Sequence, residues 1–399
     1  MHSVEEALDL VAEHCQPLAP QRVPLADAAG LLLADEITSD IDSPPYDKSM
    51  MDGYAVRSAD REPERQVLEE IAAGSVPRIP LTLGAVSRIM TGAPIPEGAD
   101  AVVPVEQSEL VGNNVVRLLQ TDPSPGQNVL PVGASMRAGD IVIQCGATIR
   151  PIEIAILAET GHAIVPVLPR PRLSILTTGN ELVAVDQKPT AGQIRNSNGP
   201  MLVAAGTRAG AATTEIPTAR DTHEDLTRCI SQGLEADVLV LSGGVSAGKF
   251  DLVPQVLAEL GVEQVFHKIA LRPGKPLWFG AKKEGSRTVL VFGLPGNPVS
   301  SLVCFELFVR PAIAALSGRG FKQPSLSTAR LAHDFDHSGG RAACLPARLE
   351  EDGPDQRVSL LLWQGSADLA TLAKANALVR LTAERRQFRA GHLIEVQPI

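Results

Sequence analysis

The stretch Asp237-Val-Leu-Val-Leu-Ser-Gly-Gly-Val-Ser-Ala-Gly-Lys-Phe-Asp251 joins a continuous apolar run to a glycine-rich loop. Runs of the same kind occur at Leu173-Ser-Ile-Leu-Thr177 and Thr288-Val-Leu-Val-Phe292. Such runs are typical of strands that are buried on both faces of a parallel sheet. Helical stretches separate them, at residues 223–233, 252–260 and 300–316. The alternation predicts a parallel α/β sandwich that binds its ligands beyond the carboxyl ends of the strands.

The regions on either side of this segment have different sequence patterns. Residues 3–16 predict a helix, with Ser3 as its N-cap and Glu6 three residues later. From about residue 42 to residue 147, short β-rich runs alternate with glycine and proline, which predicts a compact β domain. A short helix is predicted over residues 151–161. The residues after Leu326 return to short β-like runs and predict a small barrel.

Length and composition bound the class of protein. The chain has 399 residues, which exceeds one compact core, and 44% apolar and 21% charged residues are ordinary for soluble globular proteins. No uninterrupted apolar window approaches the roughly 18 residues of a membrane helix. The N-terminus, Met1-His-Ser-Val-Glu-Glu-Ala7, lacks the layout of a secretory signal. We therefore expect a soluble, cytoplasmic protein with no membrane partner.

Charge and cysteine content narrow the partners further. The net charge of -10 argues against broad nucleic-acid binding, because neutralising phosphates takes clustered Lys and Arg. A small anion in a locally basic pocket remains compatible with this charge. An odd number of scattered cysteines predicts reduced thiols and gives no zinc signature; they are Cys15, Cys145, Cys229, Cys304 and Cys344.

The glycine-rich loop is the first candidate site. Gly243, Gly248 and Lys249 satisfy the phosphate-loop pattern G-x-x-x-x-G-K, but Phe250 stands where such a loop needs Ser or Thr to hold magnesium. Glycines at a strand end still leave backbone N–H groups to bind an anion. An ordinary tight turn explains the loop about equally well. Phosphate-type anion binding remains a hypothesis, and an ATPase P-loop is disfavoured.

Two further loops follow predicted strands. The loop 267–276 carries Lys268, Arg272 and Lys275, three cations in an acidic protein, and it could be an anion clamp or a solvated charged edge. The loop 293–298 contains two prolines and leads into a helix, and by itself it is a well-made turn. Strand ends of this architecture converge on one crevice, so the three loops together favour a binding site.

Carboxylates are expected at the same edge of the sheet. Glu181, Asp221 and Asp251 each follow a predicted strand. Carboxylates beside a phosphate loop commonly hold magnesium, although each of them singly is more often a helix cap or turn residue. In the β domain, loops 42–56 and 91–100 are dense in polar and turn residues, which local turn chemistry explains one by one.

Six motifs run through nearly the whole chain in order: Ser49-Met-Met-Asp-Gly-Tyr-Ala55, Met90-Thr-Gly-Ala-Pro-Ile-Pro-Glu-Gly-Ala-Asp100, Thr178-Gly-Asn-Glu-Leu182, Ser242-Gly-Gly-Val-Ser246-x-Gly248, Arg272-Pro-Gly-Lys-Pro276 and Gly293-Leu-Pro-Gly-Asn-Pro-Val-Ser300. In this combination the chain resembles the molybdopterin molybdenumtransferases, a family that includes the gephyrin E domain and the plant cofactor-insertion enzyme. A coincidence of six such motifs in order is very improbable.

The resemblance implies an α/β multidomain fold. Its parts would be a three-layer α/β molybdopterin-binding domain (170–320), a β-rich inserted domain (42–144), a C-terminal β-barrel domain (325–399) and an elongated N-terminal domain (1–41 with 145–169). The implied reaction inserts molybdate into the dithiolene of adenylylated molybdopterin and releases AMP with the help of Mg²⁺. The resemblance also implies a homodimer with sites between subunits, and a molybdopterin adenylyltransferase-type protein as the donor of the substrate.

Site residues follow from the resemblance, motif by motif. The implied catalytic residues are Asp52, Thr91, Glu181, Asp221, Asp251, Lys268, Arg272 and Ser366. The implied cofactor-binding residues are Gly243, Gly244, Ser246, Lys275, Pro295, Asn297 and Pro298. The carboxylates Glu181, Asp221 and Asp251 would hold the metal. Lys268 and its neighbours would bind phosphate and molybdate, and the glycine loop would cradle the pterin phosphate.

The chain departs from the family pattern at three positions. Leu130 and Ser135 stand where the family usually has an Arg and an Asp, and Arg272 stands where a lysine is typical. Arg272 keeps the charge but changes the geometry of anion contact. Two alternatives remain open: a molybdopterin-binding carrier or scaffold without insertion activity, and an unrelated nucleotide hydrolase that uses the near-P-loop. Molybdate and tungstate both remain open as the inserted anion.

Overall fold

The computed structural model describes residues 1–245, 252–323, 325–337, 339–352 and 355–399. These residues form two compact units. One unit is residues 22–167, and the other combines residues 1–21 with residues 168–399.

Helix α1 (Val4–Ala12) begins with the predicted cap. The Glu6 backbone N–H donates to Ser3 Oγ at 3.1 Å, and the Ser3 N–H donates to Glu6 Oε2 at 2.9 Å. An apolar stripe buries Val4 and Leu8 in the core of the α/β domain. Residues 1–21 belong to the same compact unit as residues 168–399. The predicted domain boundaries, including the grouping of residues 1–41 with 145–169, stay predictions.

The unit of residues 22–167 is β-rich. Its elements are β1 (Gln21–Pro24), β2 (Leu32–Leu33), β3 (Ile37–Thr38), β4 (Lys48–Ser49), β5 (Gly53–Val56), β6 (Glu64–Ile71), β7 (Ala85–Ile89), β8 (Ala101–Pro104), β9 (Ser108–Gly112), β10 (Val115–Leu118), β11 (Val129–Leu130), β12 (Ile141–Ile143), α2 (Pro151–Glu159) and β13 (Ile164–Leu168). The largest sheet has the order β8-β5-β7-β6-β10-β9. Successive residues of β5 enter two separate cores, Tyr54 on one face and Ala55 on the other.

The α/β domain follows directly. Its elements are β14 (Arg172–Thr178), β15 (Leu182–Val183), β16 (Ile194–Arg195), α3 (Asn198–Arg208), β17 (Ala212–Ala219), α4 (His223–Gly233), β18 (Val238–Ser242), α5 (Val253–Glu259), β19 (Glu263–His267), β20 (Leu271–Arg272), β21 (Trp278–Glu284), β22 (Arg287–Leu294), α6 (Pro298–Cys304), a π-helical segment (Phe305–Val309) and α7 (Arg310–Leu316). Val240 packs with α3 and α6 on one face of the sheet, and Leu241 packs with α4 and α5 on the other. The three-layer prediction is therefore confirmed.

The sheet is mixed, whereas the sequence predicted a parallel one. Strands β17, β14, β18 and β22 are parallel, but β21 runs antiparallel to β22, and β19 runs antiparallel to β21. Only Gly285 and Ser286 separate β21 from β22. Two residues suffice for an antiparallel hairpin, while a parallel crossover needs about a dozen or more.

The helical stretch Pro298–Leu316 is long and apolar enough to cross a membrane by length and composition. In the structure 83% of its most apolar window is buried inside the protein, which is typical of the core helix of a globular domain. The helix begins at Pro298, two residues before the predicted start, with Asn297 as its N-cap. Proline suits this first position because its missing N–H would have had no partner in the helix.

The C-terminal segment forms the predicted barrel. Its elements are β23 (Ser327–Leu331), β24 (Phe335–Asp336), β25 (Ala342–Asp352), β26 (Asp355–Leu360), α8 (Leu369–Leu372), β27 (Ala377–Leu381), β28 (Gln387–Phe388) and β29 (Leu393–Pro398). The order β25-β26-β23-β29-β27 closes on itself because β27 also pairs with β25. Strand β20 pairs with β25 through Leu271 and Ala342, which brings the cationic loop to the edge of the barrel.

Candidate active site

The predicted crevice lies beyond the carboxyl ends of the parallel strands. A cavity of about 750 Å³ opens where β14, β18 and β22 end. Its wall combines the three predicted loops, and the predicted site residues in it are Glu181, Asp221, Gly243, Gly244, Pro295 and Asn297. Ser246 and Asp251 lie outside the described residues, as do Gly248, Lys249 and Phe250.

The glycine turn after β18 requires glycine for two separate reasons. Gly243 has φ +97° and Gly244 has φ +65°, both on the left-handed side that L side chains rarely adopt. A Cβ on Gly243 would also lie 2.6 Å from the backbone oxygen of Thr178. The two strand ends therefore approach so closely that only bare backbone fits between them.

Replacing Gly243 with alanine is expected to lower the free energy of unfolding by about 2–4 kcal/mol, since strain and a backbone clash add. Gly210→Ala is the matched control, because Gly210 has φ +93° with open space around its would-be Cβ. The control should cost only the strain, about 1–2 kcal/mol. Urea denaturation measures both, and equal costs would show that the approach of Thr178 is unimportant.

The acidic residues meet across two loops. The Asn180 N–H donates to Asp221 Oδ2 at 3.3 Å, and the Asp221 N–H donates to Asn180 Oδ1 at 3.2 Å. This reciprocal pair fixes the two loops against each other and places the Asp221 carboxylate on the wall that also carries Glu181. The structure thus brings together two of the three predicted carboxylates, and the third, Asp251, lies outside the described residues.

The donor set suits the magnesium ion that the resemblance implies. Within the described ranges, no group of three or more His, Cys, Asp or Glu side chains could hold a metal by itself. Magnesium at phosphate sites needs fewer protein ligands, because it takes one or two carboxylates and completes its shell with water and phosphate oxygens. Glu181 and Asp221, both exposed at one cavity, fit that requirement.

A second cavity, of about 610 Å³, is lined by cations. Arg272 and Lys275 of the predicted loop lie in its wall together with Arg341, which directly precedes β25 of the barrel. Arg341 was not predicted as a site residue, because no motif surrounds it in the sequence. Only the pairing of β20 with β25 brings it to the second cavity. Three cations around one cavity suit a compact anion.

Ser366 and Asn297 connect the cavities. Asn297 Nδ2 donates to Ser366 Oγ at 2.7 Å, and the Val299 N–H donates to the Ser366 carbonyl at 3.1 Å. Asn297 lines both of these cavities and also a third one, which Pro298 lines as well. The loop after β22 is therefore the common wall of three adjoining spaces, and the predicted Ser366 is fixed to it.

Lys268 stands at the base of the cationic loop. Its N–H donates to the Leu277 carbonyl at 2.9 Å, and the Ile269 N–H donates to the Lys275 carbonyl at 3.0 Å. Lys268 is half-buried, has φ +74°, and is not part of the walls of the three cavities. Of the predicted residues in the described part of this unit, it alone is outside them.

Asp52 and Thr91 meet in the β-rich unit. Asp52 Oδ1 accepts hydrogen bonds from the Thr91 N–H at 2.7 Å and from Thr91 Oγ1 at 2.8 Å. These bonds from the Thr91 backbone and hydroxyl lower the pKa of the Asp52 carboxyl. The carboxylate is therefore ionised and oriented although it is exposed. The pair lies in a different unit from the cavities.

Removing the hydroxyl with Thr91→Val is expected to raise the pKa of Asp52 toward its ordinary value, because one of two charge-favouring bonds is lost. In wild type these bonds stabilise the folded unit at pH values above the ordinary pKa of an aspartate. The stabilisation is lost as the pH falls through the lowered pKa of Asp52 in the folded protein. Carboxyl NMR titration measures the shift. Asp368, whose pKa is lowered by bonds from Gln364 and Thr371, is the internal control and should not move. An unchanged pKa of Asp52 would contradict the assignment of its shift to the Thr91 hydroxyl.

Comparison with known proteins gives the family. Residues 2–161 match the family model "MoeA N-terminal region (domain I and II)", residues 174–315 match "Probable molybdopterin binding domain", and residues 328–399 match "MoeA C-terminal region (domain IV)". A molybdopterin molybdenumtransferase of Staphylococcus aureus (strain N315) is 33% identical over 98% of this chain and 94% of its own length. One from Staphylococcus epidermidis (strain ATCC 12228 / FDA PCI 1200) is 32% identical over 99% and 94%.

A solved structure agrees with the sequence relatives. The molybdopterin biosynthesis MoeA protein of Pyrococcus horikoshii superimposes with a TM-score of 0.83 at 31% identity, over 99% of this chain and 98% of that one. The fold is that of a multidomain protein whose α/β domain matches the probable molybdopterin binding domain and has cavities beyond the carboxyl ends of its strands. The chain belongs to the molybdopterin molybdenumtransferase family. The predicted family, multidomain fold and class of enzyme, a transferase of molybdenum cofactor biosynthesis, are therefore confirmed.

Proposed function

We propose that this chain inserts molybdate into the dithiolene of adenylylated molybdopterin and releases AMP, in the cytoplasm and with the help of Mg²⁺. One observation carries the proposal. The loop after β22 separates a cavity with a glycine turn and two carboxylates from a cavity with three cations, and Asn297 lines both. Two adjacent cavities of different charge suit a reaction in which a phosphate-containing substrate, adenylylated molybdopterin, reacts with a second anion, molybdate.

The two cavities would each bind one of the two reactants. The backbone N–H of Gly244 would bind a phosphate of the substrate, as glycine turns at strand ends do, while the Gly243 N–H donates to the Leu294 carbonyl at 3.3 Å. Arg272, Lys275 and Arg341 would hold molybdate, which is a compact dianion, next to that substrate. Holding both reactants in one crevice replaces an encounter of two anions in water, and this proximity lowers the barrier.

The carboxylates would act on the bond between the two phosphates. Mg²⁺ held by Glu181 and Asp221 would neutralise charge on the pyrophosphate when the metal is bound. The reciprocal bonds between Asn180 and Asp221 keep that carboxylate on the cavity wall before substrate arrives. Such preorganisation costs no rearrangement at the moment of reaction, which is how charged sites stabilise transition states.

The assembly belongs to the proposal as well. The chain would act as a homodimer in which Asp52 and Thr91 of one subunit complete the crevice of the other, and a molybdopterin adenylyltransferase-type protein would supply the substrate. The support is the family membership together with the hydrogen-bonded Asp52 carboxylate, which is preorganised outside the unit that holds the cavities.

A carrier without insertion activity is the second candidate. Its support is Leu130 and Ser135, at positions where the family usually has an Arg and an Asp. Leu130 lies in β11 opposite Lys48, and the Ser135 N–H donates to the Ser43 carbonyl at 2.8 Å. Neither side chain carries a charge that could replace the missing ones.

AMP release from adenylylated molybdopterin, measured with and without molybdate, separates these functions. The proposed enzyme releases AMP only with molybdate, and tungstate in a parallel arm tests the choice of anion. A carrier binds the substrate and releases no AMP under either condition. Turnover of ATP without molybdopterin would instead point to a nucleotide hydrolase and contradict both proposals.

A further inference from the structure

We propose that Thr178 and Asn198 form a subsite that binds the amino-bearing edge of a heteroaromatic ring. The subsite is the third cavity, of about 420 Å³, which adjoins the glycine turn at Gly243 and Gly296. The inference rests on the proposed function, because the adenylylated substrate carries two such rings, a pterin and an adenine. It assigns a place for one of them beside the phosphate-binding turn.

The amide of Asn198 has a fixed orientation. Its Nδ2 donates to the Gly296 carbonyl at 2.7 Å and to Ser242 Oγ at 2.8 Å. A carbonyl oxygen can only accept, so the nitrogen must face Gly296 and the oxygen must face away. Asn198 Oδ1 is buried, in a residue only 9% exposed, and has no hydrogen-bond donor within the described part of the chain.

Thr178 has a second unsatisfied polar atom. The residue is 4% exposed, and its Oγ1 has no partner among the described residues. The glycine turn passes over this hydroxyl, since a Cβ on Gly244 would lie 2.8 Å from it. Thr178 lines both the third cavity and the first, and its hydroxyl lies under the glycine turn that they share.

The neighbouring Thr177 and Asn196 show that the open atoms are not a general feature of this region. Asn196 Nδ2 donates to Thr177 Oγ1 at 2.9 Å, and the Gly199 N–H donates to Asn196 Oδ1 at 2.9 Å. Thr177 Oγ1 also lies 2.9 Å from Thr218 Oγ1. One Thr–Asn set is thus closed within the protein, while the other leaves Thr178 Oγ1 and Asn198 Oδ1 without a partner among the described residues. Buried polar atoms are normally paired, so unpaired ones beside a cavity indicate a ligand.

The atoms and walls define the chemistry of that ligand. Asn198 Oδ1 can only accept, so the ligand must present an N–H or amino group, whereas the Thr178 hydroxyl can donate to a ring nitrogen or carbonyl. Leu182, Ile194 and Leu369 supply apolar wall, which favours a planar uncharged ring over a phosphate. Among the described lining residues, the charged ones are Glu181 and Arg195.

Thr178→Val tests the subsite with little structural cost. Valine has nearly the same shape and removes only a hydroxyl that makes no bond within the described protein, so Tm should change by less than about 2 °C. The dissociation constant should rise about tenfold for the ring that occupies the subsite, which corresponds to one lost hydrogen bond. Calorimetric titration with AMP and, separately, with neopterin identifies which ring that is.

Thr218→Val is the matched control, because Thr218 lies on the neighbouring strand β17 and not in the wall of the third cavity. It breaks bonds to Thr177 and Asn196, so it should lower Tm by more than about 2 °C and leave both affinities unchanged. The subsite is overturned if Thr178→Val binds both probes like wild type, or if wild type binds neither. These measurements need no turnover, so a wild-type protein that fails to release AMP would contradict the proposed function without touching this result.

Discussion

Replacing Lys268 with glycine is expected to reduce AMP release by about 100-fold or more, while the variant is no less stable than Lys268→Ala. Lys268 is half-buried with φ +74°, a backbone conformation that costs a residue with a side chain about 1–2 kcal/mol and that glycine adopts readily. The other described positions of this kind outside glycine are Asn114 and Asn128. Asparagine is enriched in this region, whereas lysine is uncommon there, so strain at Lys268 favours a functional role.

The measurement combines an AMP-release assay with urea denaturation on three variants. Lys268→Gly and Lys268→Ala should both be inactive, and the glycine variant should unfold at the same or a higher urea concentration. Lys188→Ala, which removes an exposed lysine of the same domain, should keep wild-type activity. Wild-type turnover in Lys268→Gly would show that Lys268 acts outside the reaction and contradict the prediction.

The sheet of the α/β domain was predictable because its signal is local. The three apolar runs of the sequence fall within β14, β18 and β22, and the loops after them line one cavity. A continuous apolar run indicates a strand buried on both faces, and strand ends of parallel sheets converge, so no tertiary information was needed. The cap of α1 at Ser3 was predictable for the same reason.

Other features depend on contacts between residues far apart in the chain. The direction of β21 depends on a two-residue connection between strands that the sequence did not resolve. Arg341 joins the cationic cavity only through the pairing of β20 with β25. The packing of α1 against the α/β core also has no local signal, because an apolar stripe shows that a helix is covered but not by what.

Some residues of the candidate site could likewise be predicted from local sequence, and others could not. Gly243 and Lys275 were found from loop chemistry, while Asp52 and Thr91 entered only through the resemblance, since 39 residues separate them and a turn explains each alone. The unsatisfied atoms of Thr178 and Asn198 were invisible in the sequence. Whether a buried polar atom lacks a partner depends on all its neighbours, which only the folded chain brings together.

Mixing two inactive variants, Asp52→Ala and Asp221→Ala, is expected to restore activity if each site is built from two subunits. Asp52 lies in the β-rich unit and Asp221 in the unit with the cavities, so each variant lacks one half of the site. In a mixed dimer with sites in trans, one site carries both lesions and the other carries neither. With random exchange about half the dimers are mixed, which gives roughly a quarter of wild-type activity.

A chain that carries both substitutions makes the reciprocal test. Mixed with an equal amount of wild type, it spoils both sites of every heterodimer when the sites form in trans, so subunit exchange should about halve the measured activity. When each site is completed within one chain, the wild-type subunit of the heterodimer keeps its own site, and exchange changes nothing. Native mass spectrometry of the mixtures must show heterodimers in both experiments. Restored activity in the mixture of single variants, together with lost activity in the mixture with wild type, then requires sites in trans. If heterodimers are present and activity changes in neither mixture, Asp52 and Asp221 belong to a site within one subunit.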